Sequence, residues 1–253
     1  IKVDGKDQII EIELDSVWDG KTLTEPSKDA NGYYLIGTGA ELMWWNENYT
    51  STDKVKLTAD IALNNGESRT NNWEIVGGKR EDSAFQGTFD GQGHVIRNMS
   101  IDRENTYELE ISWDGSVLAF SNRIGQVGMF GYLSGSAEIK DLGIEGDIYV
   151  FDRPDSMYAD WLQVGGIAGY VHGNAKISGC YTNMGIKAIA SLETETVGGY
   201  PLGGYGYACD TYIGGIAGSL SGNASITECY TRGTYIGAET RQVTAGGIVG
   251  AMR

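Results

Sequence analysis

The sequence predicts an all-β fold wound as a parallel β-solenoid, and three observations predict it. First, Val164-Gly165-Gly166-Ile167-Ala168-Gly169, followed by Lys176-Ile177-Ser178-Gly179-Cys180-Tyr181-Thr182, recurs as Ile213-Gly214-Gly215-Ile216-Ala217-Gly218 and Ser225-Ile226-Thr227-Glu228-Cys229-Tyr230-Thr231. Looser copies start at Val127 and at Ala245, and internal repetition governs architecture before any local signal does. Second, glycine is abundant, 38 of 253 residues, while proline is only 3, which excludes collagen-like and Pro-rich disordered chains and leaves many short strands joined by glycine turns. Third, the anchors Ile96, Ile139, Ile177 and Ile226 are unequally spaced, so a constant unit carries loops of variable length. A propeller is the competing repeat architecture. Its blades need four antiparallel strands each, whereas residues 164–182 hold two strands and a single turn region.

Taken in order, residues 1–32 read as a leader, in which Gln8–Leu14 alternates apolar and acidic like a half-buried strand. Residues 33–101 hold a capping helix and first irregular coils. Tyr33–Ile36 is a short strand, and Thr38 with Glu41 forms a Thr-x-x-Glu capping box that starts a helix with Leu42, Trp45 and Met43 turned inward. A helix at one end of a repeat array covers an otherwise open apolar end, which gives Trp44 and Trp45 a packing role. Val55–Thr58, Asp60–Leu63 and Trp73–Gly77 read as strand-like. Residues 102–253 are the repeat coils with insertions, expected to continue in a longer parent protein. Within them, residues 105–121 read as a hairpin turning at Asp114-Gly115, with Ile111 opposite Leu118 and Leu109 opposite Phe120.

In each repeat, Ile139 and Leu142 are both apolar yet three apart, so a bend falls at Lys140-Asp141. Equivalent residues then stack ~4.8 Å apart in parallel strands. One inside ladder is expected to be Ile96, Ile139, Ile177 and Ile226, and the next Met99, Leu142, Cys180 and Cys229. Three cysteines make a poor disulfide framework, and Cys180 and Cys229, at one repeat position, read as small core residues.

At these residues the chain resembles the GLUG-motif repeat proteins. The motif is matched by Gly128-Met129-Phe130-Gly131, Gly166-Ile167-Ala168-Gly169, Gly215-Ile216-Ala217-Gly218 and Gly247-Ile248-Val249-Gly250, preceded by Gly87–Ile96, Leu57–Ile61 and the Tyr34–Trp45 region. The resemblance implies a right-handed parallel β-helix and an extracellular or cell-surface location, as in bacterial adhesin-like proteins and the non-catalytic parts of immunoglobulin-A-cleaving peptidases. It brings no catalytic residues.

Charge narrows the partners. The 34 acidic and 19 basic residues leave a net −15, which argues against nucleic acid and anionic membrane surfaces. No run approaches the ~18 apolar residues of a membrane span. His94 and His172 are the only histidines and neither has a ligand-spaced Cys or His neighbour, so no zinc site or other cofactor is expected. His94, in the Gly-Gln-Gly-His turn, reads as a turn residue. Calcium is the one ion the acid-rich loops at Asp152–Asp155 and Asp160 suggest, without the Asp-x-Asp-x-Asp-Gly pattern.

Tyrosines give the strongest functional lead. Tyr181 and Tyr230 should point outward on adjacent rungs, where stacked rings could hold a sugar, with Trp161, Tyr205, Tyr200 and Tyr207 in insertions beside them. Against this stands the reading that the loops pack onto the tyrosines as a second small core. The leading functional expectation is a non-enzymatic bacterial secreted or surface module, adhesin-like, binding a host or dietary glycan or protein. One alternative is a carbohydrate-active enzyme of the polysaccharide lyase or glycoside hydrolase type, using carboxylates such as Asp90, Glu138, Asp141 and Glu228. The other is a structural spacer of a larger secreted protein.

Overall fold

The computed structural model describes residues 2–3, 6–7, 17–65, 71–78, 81–104, 107–111, 117–121, 125–152, 161–190, 195–197, 200–202, 210–239 and 242–252. The proposed strand Gln8–Leu14 lies outside them, as do Asp155, Asp160, Tyr205, Tyr207 and Cys209.

Four parallel sheets make up most of the fold. One, here the isoleucine sheet, has six strands in the order Ser225–Thr227, Lys176–Ser178, Glu138–Lys140, Thr88–Asp90, Lys54–Leu57, Tyr34–Ile36. A second, the tyrosine sheet, runs Tyr230–Thr231, Tyr181–Ala190, Gly143–Asp152, Val95–Glu104, Ile61–Ala62, and Tyr235–Glu239 also pairs with Tyr181–Ala190. The third joins Gln126–Val127, Leu162–Gly165, Asp210–Gly214 and Gln242–Gly246. The fourth joins Phe130–Leu133, Ala168–Val171, Ala217–Leu220 and Val249–Met252.

The expectation of one right-handed parallel β-helix is corrected by this topology. Among the described residues the parallel strands divide into four separate sheets, beside three antiparallel two-stranded ones and one α-helix. Among the described residues the fold is a mostly-β assembly of several parallel sheets, not a single closed solenoid. The corners inside each repeat are the cause. The Gly166-Ile167 step separates the third sheet from the fourth. The turns at Gly135, Gly173 and Gly222, all at positive φ, separate the fourth from the isoleucine sheet. Asp141, Gly179 and Glu228, at φ 49°, 61° and 55°, separate the isoleucine sheet from the tyrosine sheet. A left-handed residue reverses the alternation of side chains, which is how Ile139 and Leu142 both turn inward although three apart.

Strands from successive repeats pair in register: Ile139 opposite Ile177, and Ile177 opposite Ile226. The first repeat departs from the expected ladders. Phe89, not Ile96, sits opposite Ile139, and Ile96 sits opposite Ile144 in the next sheet. Met99 faces Gly146 rather than Leu142. The reason is the left-handed turn at Gln92-Gly93, which leaves Thr88–Asp90 in the isoleucine sheet and puts Val95–Glu104 in the tyrosine sheet; further along, Arg97 and Asn98 oppose Glu145 alone, a bulge in which Asn98 takes φ 54°. The hairpin pairs Tyr107–Ile111 with Val117–Ser121, but one residue out of the expected register, with Ile111 opposite Val117 and Leu109 opposite Ala119.

The final glycine of the last three motifs has a steric cause. A Cβ at Gly169 would lie 2.6 Å from the Val127 amide nitrogen, at Gly218 2.5 Å from that of Val164, and at Gly250 2.6 Å from that of Ile213. The fourth sheet therefore crosses the third backbone to backbone, and only a residue without Cβ fits.

The helix spans Gly39–Asn48, with Thr38 accepting from the Glu41 amide and Glu41 accepting from the Thr38 amide, a complete capping box. Leu42, Met43 and Trp45 are buried. The Trp45 ring packs on Phe85 and Phe89 at centroid distances of 6.1 and 5.5 Å, and its Nε1 donates to Asp53. Phe85 and Phe89 in turn contact Phe130. Each such fully buried side chain contributes about 1.5–3 kcal/mol relative to exposure, so this aromatic group joins helix and sheets into one core.

Candidate functional site

The tyrosine sheet presents alternate residues to solvent, because its inner positions are taken by Ile96, Ile144, Thr182, Ile148, Ile186 and Val150, all buried. Thr182 sets the depth of its strand: its Oγ1 donates to the Gly215 carbonyl at 2.8 Å, across the interior. Its neighbour Tyr181 is thereby turned outward, directly opposite Tyr230 on one side and Gly143 on the other.

The two tyrosine rings stack with centroids 5.3 Å apart and planes 11° from parallel. Gly143 makes room for this. A Cβ there would lie 2.5 Å from Cε1 of Tyr181, so the phenol ring lies over bare backbone. Tyr230 closes the column and is 53 % exposed.

A polar chain borders the rings. The Tyr181 hydroxyl donates to Glu145 Oε1 at 3.2 Å. Glu145 Oε2 is 4.0 Å from Arg97 Nε, and Arg97 Nη2 donates to Asp60 Oδ2 at 2.8 Å. Asp60 Oδ1 accepts from the Val95 amide at 3.0 Å and lies 3.2 Å from His94 Nδ1. The pairing of Ile96 with Ile144 sets this alignment, because the next residues of the two strands, Arg97 and Glu145, then lie side by side. Burial pushes the Tyr181 hydroxyl up from its ordinary pKa, and the Glu145 carboxylate adds to the effect. Partial burial alone would raise the Asp60 carboxyl, but the bonds from Val95, His94 and Arg97 outweigh it and hold the group below the usual carboxylate range.

Chemically the site offers apolar ring surface beside a row of alternating charges that are already paired. Such a surface suits a neutral, hydroxyl-rich ligand, which needs donors and acceptors without a strong net field.

Of the other residues singled out, Trp161 is 46 % exposed and precedes the Leu162–Gly165 strand of the third sheet, a different sheet from that of the tyrosine pair. Tyr200 lies in the short strand Tyr200–Leu202. The carboxylates considered for catalysis are engaged elsewhere: Lys140 Nζ lies 3.4 Å from the buried Asp90 and 3.9 Å from Glu138, while Asp141 and Glu228 hold left-handed corners. Among the described residues no three His, Cys, Asp or Glu side chains come together as a metal site would require. Among the same residues no helix is long and apolar enough to cross a membrane.

Sequence reasoning missed Asp60, Arg97 and Glu145 and read His94 as a turn residue alone. A correct alignment of the first repeat would have pointed to Arg97 and Glu145, which lie side by side on neighbouring strands.

No family model matches the chain, and no curated protein matches it. Among solved structures, the chain is similar to the crystal structure of a protein from Bacteroides ovatus proposed to be an immunoglobulin A1 protease. The identity is 14% and the TM-score 0.39, over 91% of this chain and 87% of that one.

Proposed function

We propose that this chain is a non-enzymatic binding module of a bacterial secreted or cell-surface protein, adhesin-like in role, and that its tyrosine face holds a neutral glycan. The observation that carries this reading is the outward stack of Tyr181 and Tyr230 beside the paired Glu145–Arg97–Asp60 row. Rings give apolar area for the C–H face of a sugar, and the row gives hydroxyl partners. The net charge of −15 supports a partner that is neutral or basic rather than a nucleic acid. The resemblance of the repeats to GLUG-motif proteins supports the surface setting.

The test is a glycan array probed with the 253-residue protein beside its Tyr181→Ala/Tyr230→Ala variant. Binding to a defined set of neutral oligosaccharides, lost in the variant while its circular dichroism is unchanged, is the expected result. Equal binding by both proteins, or release of shortened products from a bound polysaccharide, would refute the reading.

A further inference from the structure

Cys180 and Cys229 each precede the first residue of a tyrosine-sheet strand, and those first residues, Tyr181 and Tyr230, are direct partners. The Tyr230 amide donates to the Cys180 carbonyl at 3.1 Å, which locks the two cysteines onto neighbouring rungs. Each Sγ lies 3.2 Å from the carbonyl oxygen two residues back, Ser178 for Cys180 and Thr227 for Cys229. The two side chains therefore point the same way, one above the other. Neighbouring rungs lie about 4.8 Å apart, inside the Cα separation of roughly 4.4–6.8 Å that a disulfide spans. Both thiols are free in this structure; Cys180 is fully buried and Cys229 is half-buried, which makes Cys229 the more accessible of the two.

We propose that Cys180 and Cys229 are a redox-modifiable pair, converted by a small disulfide oxidant into a cross-link that ties two successive repeats together.

The local chemistry favours Cys229 as the attacking sulfur. The Cys180 thiol beside it favours the Cys229 thiolate and lowers its pKa, while the same neighbour and burial push Cys180 up. With oxidised glutathione, the Cys229 thiolate attacks one sulfur, the glutathione S–S bond breaks, and one glutathione thiolate leaves and takes a proton. Cys180 then attacks Sγ of Cys229, the Cys229–glutathione S–S bond breaks, and the departing glutathione thiolate takes up the Cys180 proton. Two electrons pass from the cysteines to the oxidant, one disulfide forms and one is reduced to two thiols. The product closes a loop of about 50 residues, long enough for the lost freedom of the unfolded chain to raise stability. The inference is independent of the glycan reading.

The experiment incubates the 253-residue Cys209→Ser variant with oxidised glutathione at pH 8, followed by peptide mass mapping and thermal unfolding. The expected result is a linked peptide pair containing Cys180 and Cys229, about 2 Da lighter than the two free peptides. A Tm raised by roughly 5–10 °C should accompany it and return to its starting value with dithiothreitol. The further change Cys180→Ser should leave glutathione attached to Cys229. Absence of the intramolecular link at all oxidant concentrations, or links found only between separate molecules, would overturn the proposal.

Discussion

The ring of Tyr181 lies over the bare backbone of Gly143, on the neighbouring rung of the same sheet. That contact sets the height of the whole tyrosine column, because Tyr230 stacks on Tyr181 in turn.

Replacing Gly143 by Val should lift the Tyr181 ring, break its bond to Glu145 and loosen the stack with Tyr230. Overpacking of this kind costs about 1–3 kcal/mol. Urea unfolding should show that loss, and a Tyr181 fluorescence change should accompany it. Unchanged stability would mean that the ring adapts freely and that Gly143 has no positioning role.

The glycine motif yields a contrast between its last glycine in one repeat and its first glycine in the next. Gly218→Ala places a Cβ against the Val164 amide and should destabilise by about 2 kcal/mol or more, since backbone cannot yield as a side-chain tip can. Gly247→Ala meets nothing within 4 Å and should be near neutral. Chemical denaturation of both variants measures the difference, and equal effects would contradict the close crossing of the third and fourth sheets.

Asp60 predicts an acid limb to the stability curve. Its folded pKa lies below the ordinary 3.8. Its contribution is therefore fully present above the unfolded value and is lost as pH falls through the folded one. Wild-type urea midpoints should drop between pH 5 and pH 2.5, and Asp60→Asn should drop less over that window. A parallel fall of both proteins would show that Asp60 carries no linkage.

Much of the repeat was legible because Gly-x-x-Gly and Ile-x-x-Cys recur with little change, and the capping box at Thr38 and Glu41 uses local spacing alone. The first repeat misled for a specific reason. An apolar pair three residues apart occurs at Ile96 and Met99 and again at Ile139 and Leu142, yet two different devices produce it. Asn98 is a left-handed bulge inside one strand, and Asp141 is a left-handed corner between two sheets. The spacing is identical, so sequence alone aligned Ile96 with Ile139 when the partner is Phe89. The same slip hid Arg97 and Glu145, which meet because Ile96 pairs with Ile144 rather than Ile139. Division into four sheets was illegible because it depends on how sharply each corner turns, which the apolar pattern does not encode. The hairpin register failed likewise, since residues 107–111 and 117–121 pair one position away from what the Asp114-Gly115 turn suggested.

The most direct measurement is calorimetric titration of an array-selected neutral oligosaccharide into wild-type protein and Tyr230→Ala. Tyr230 is half exposed, so its removal should leave unfolding unchanged within about 0.5 kcal/mol. The account predicts at least a tenfold weaker Kd for the variant, about 1.4 kcal/mol of binding. Undiminished affinity in a folded Tyr230→Ala protein would contradict the assignment of the tyrosine face as the binding surface.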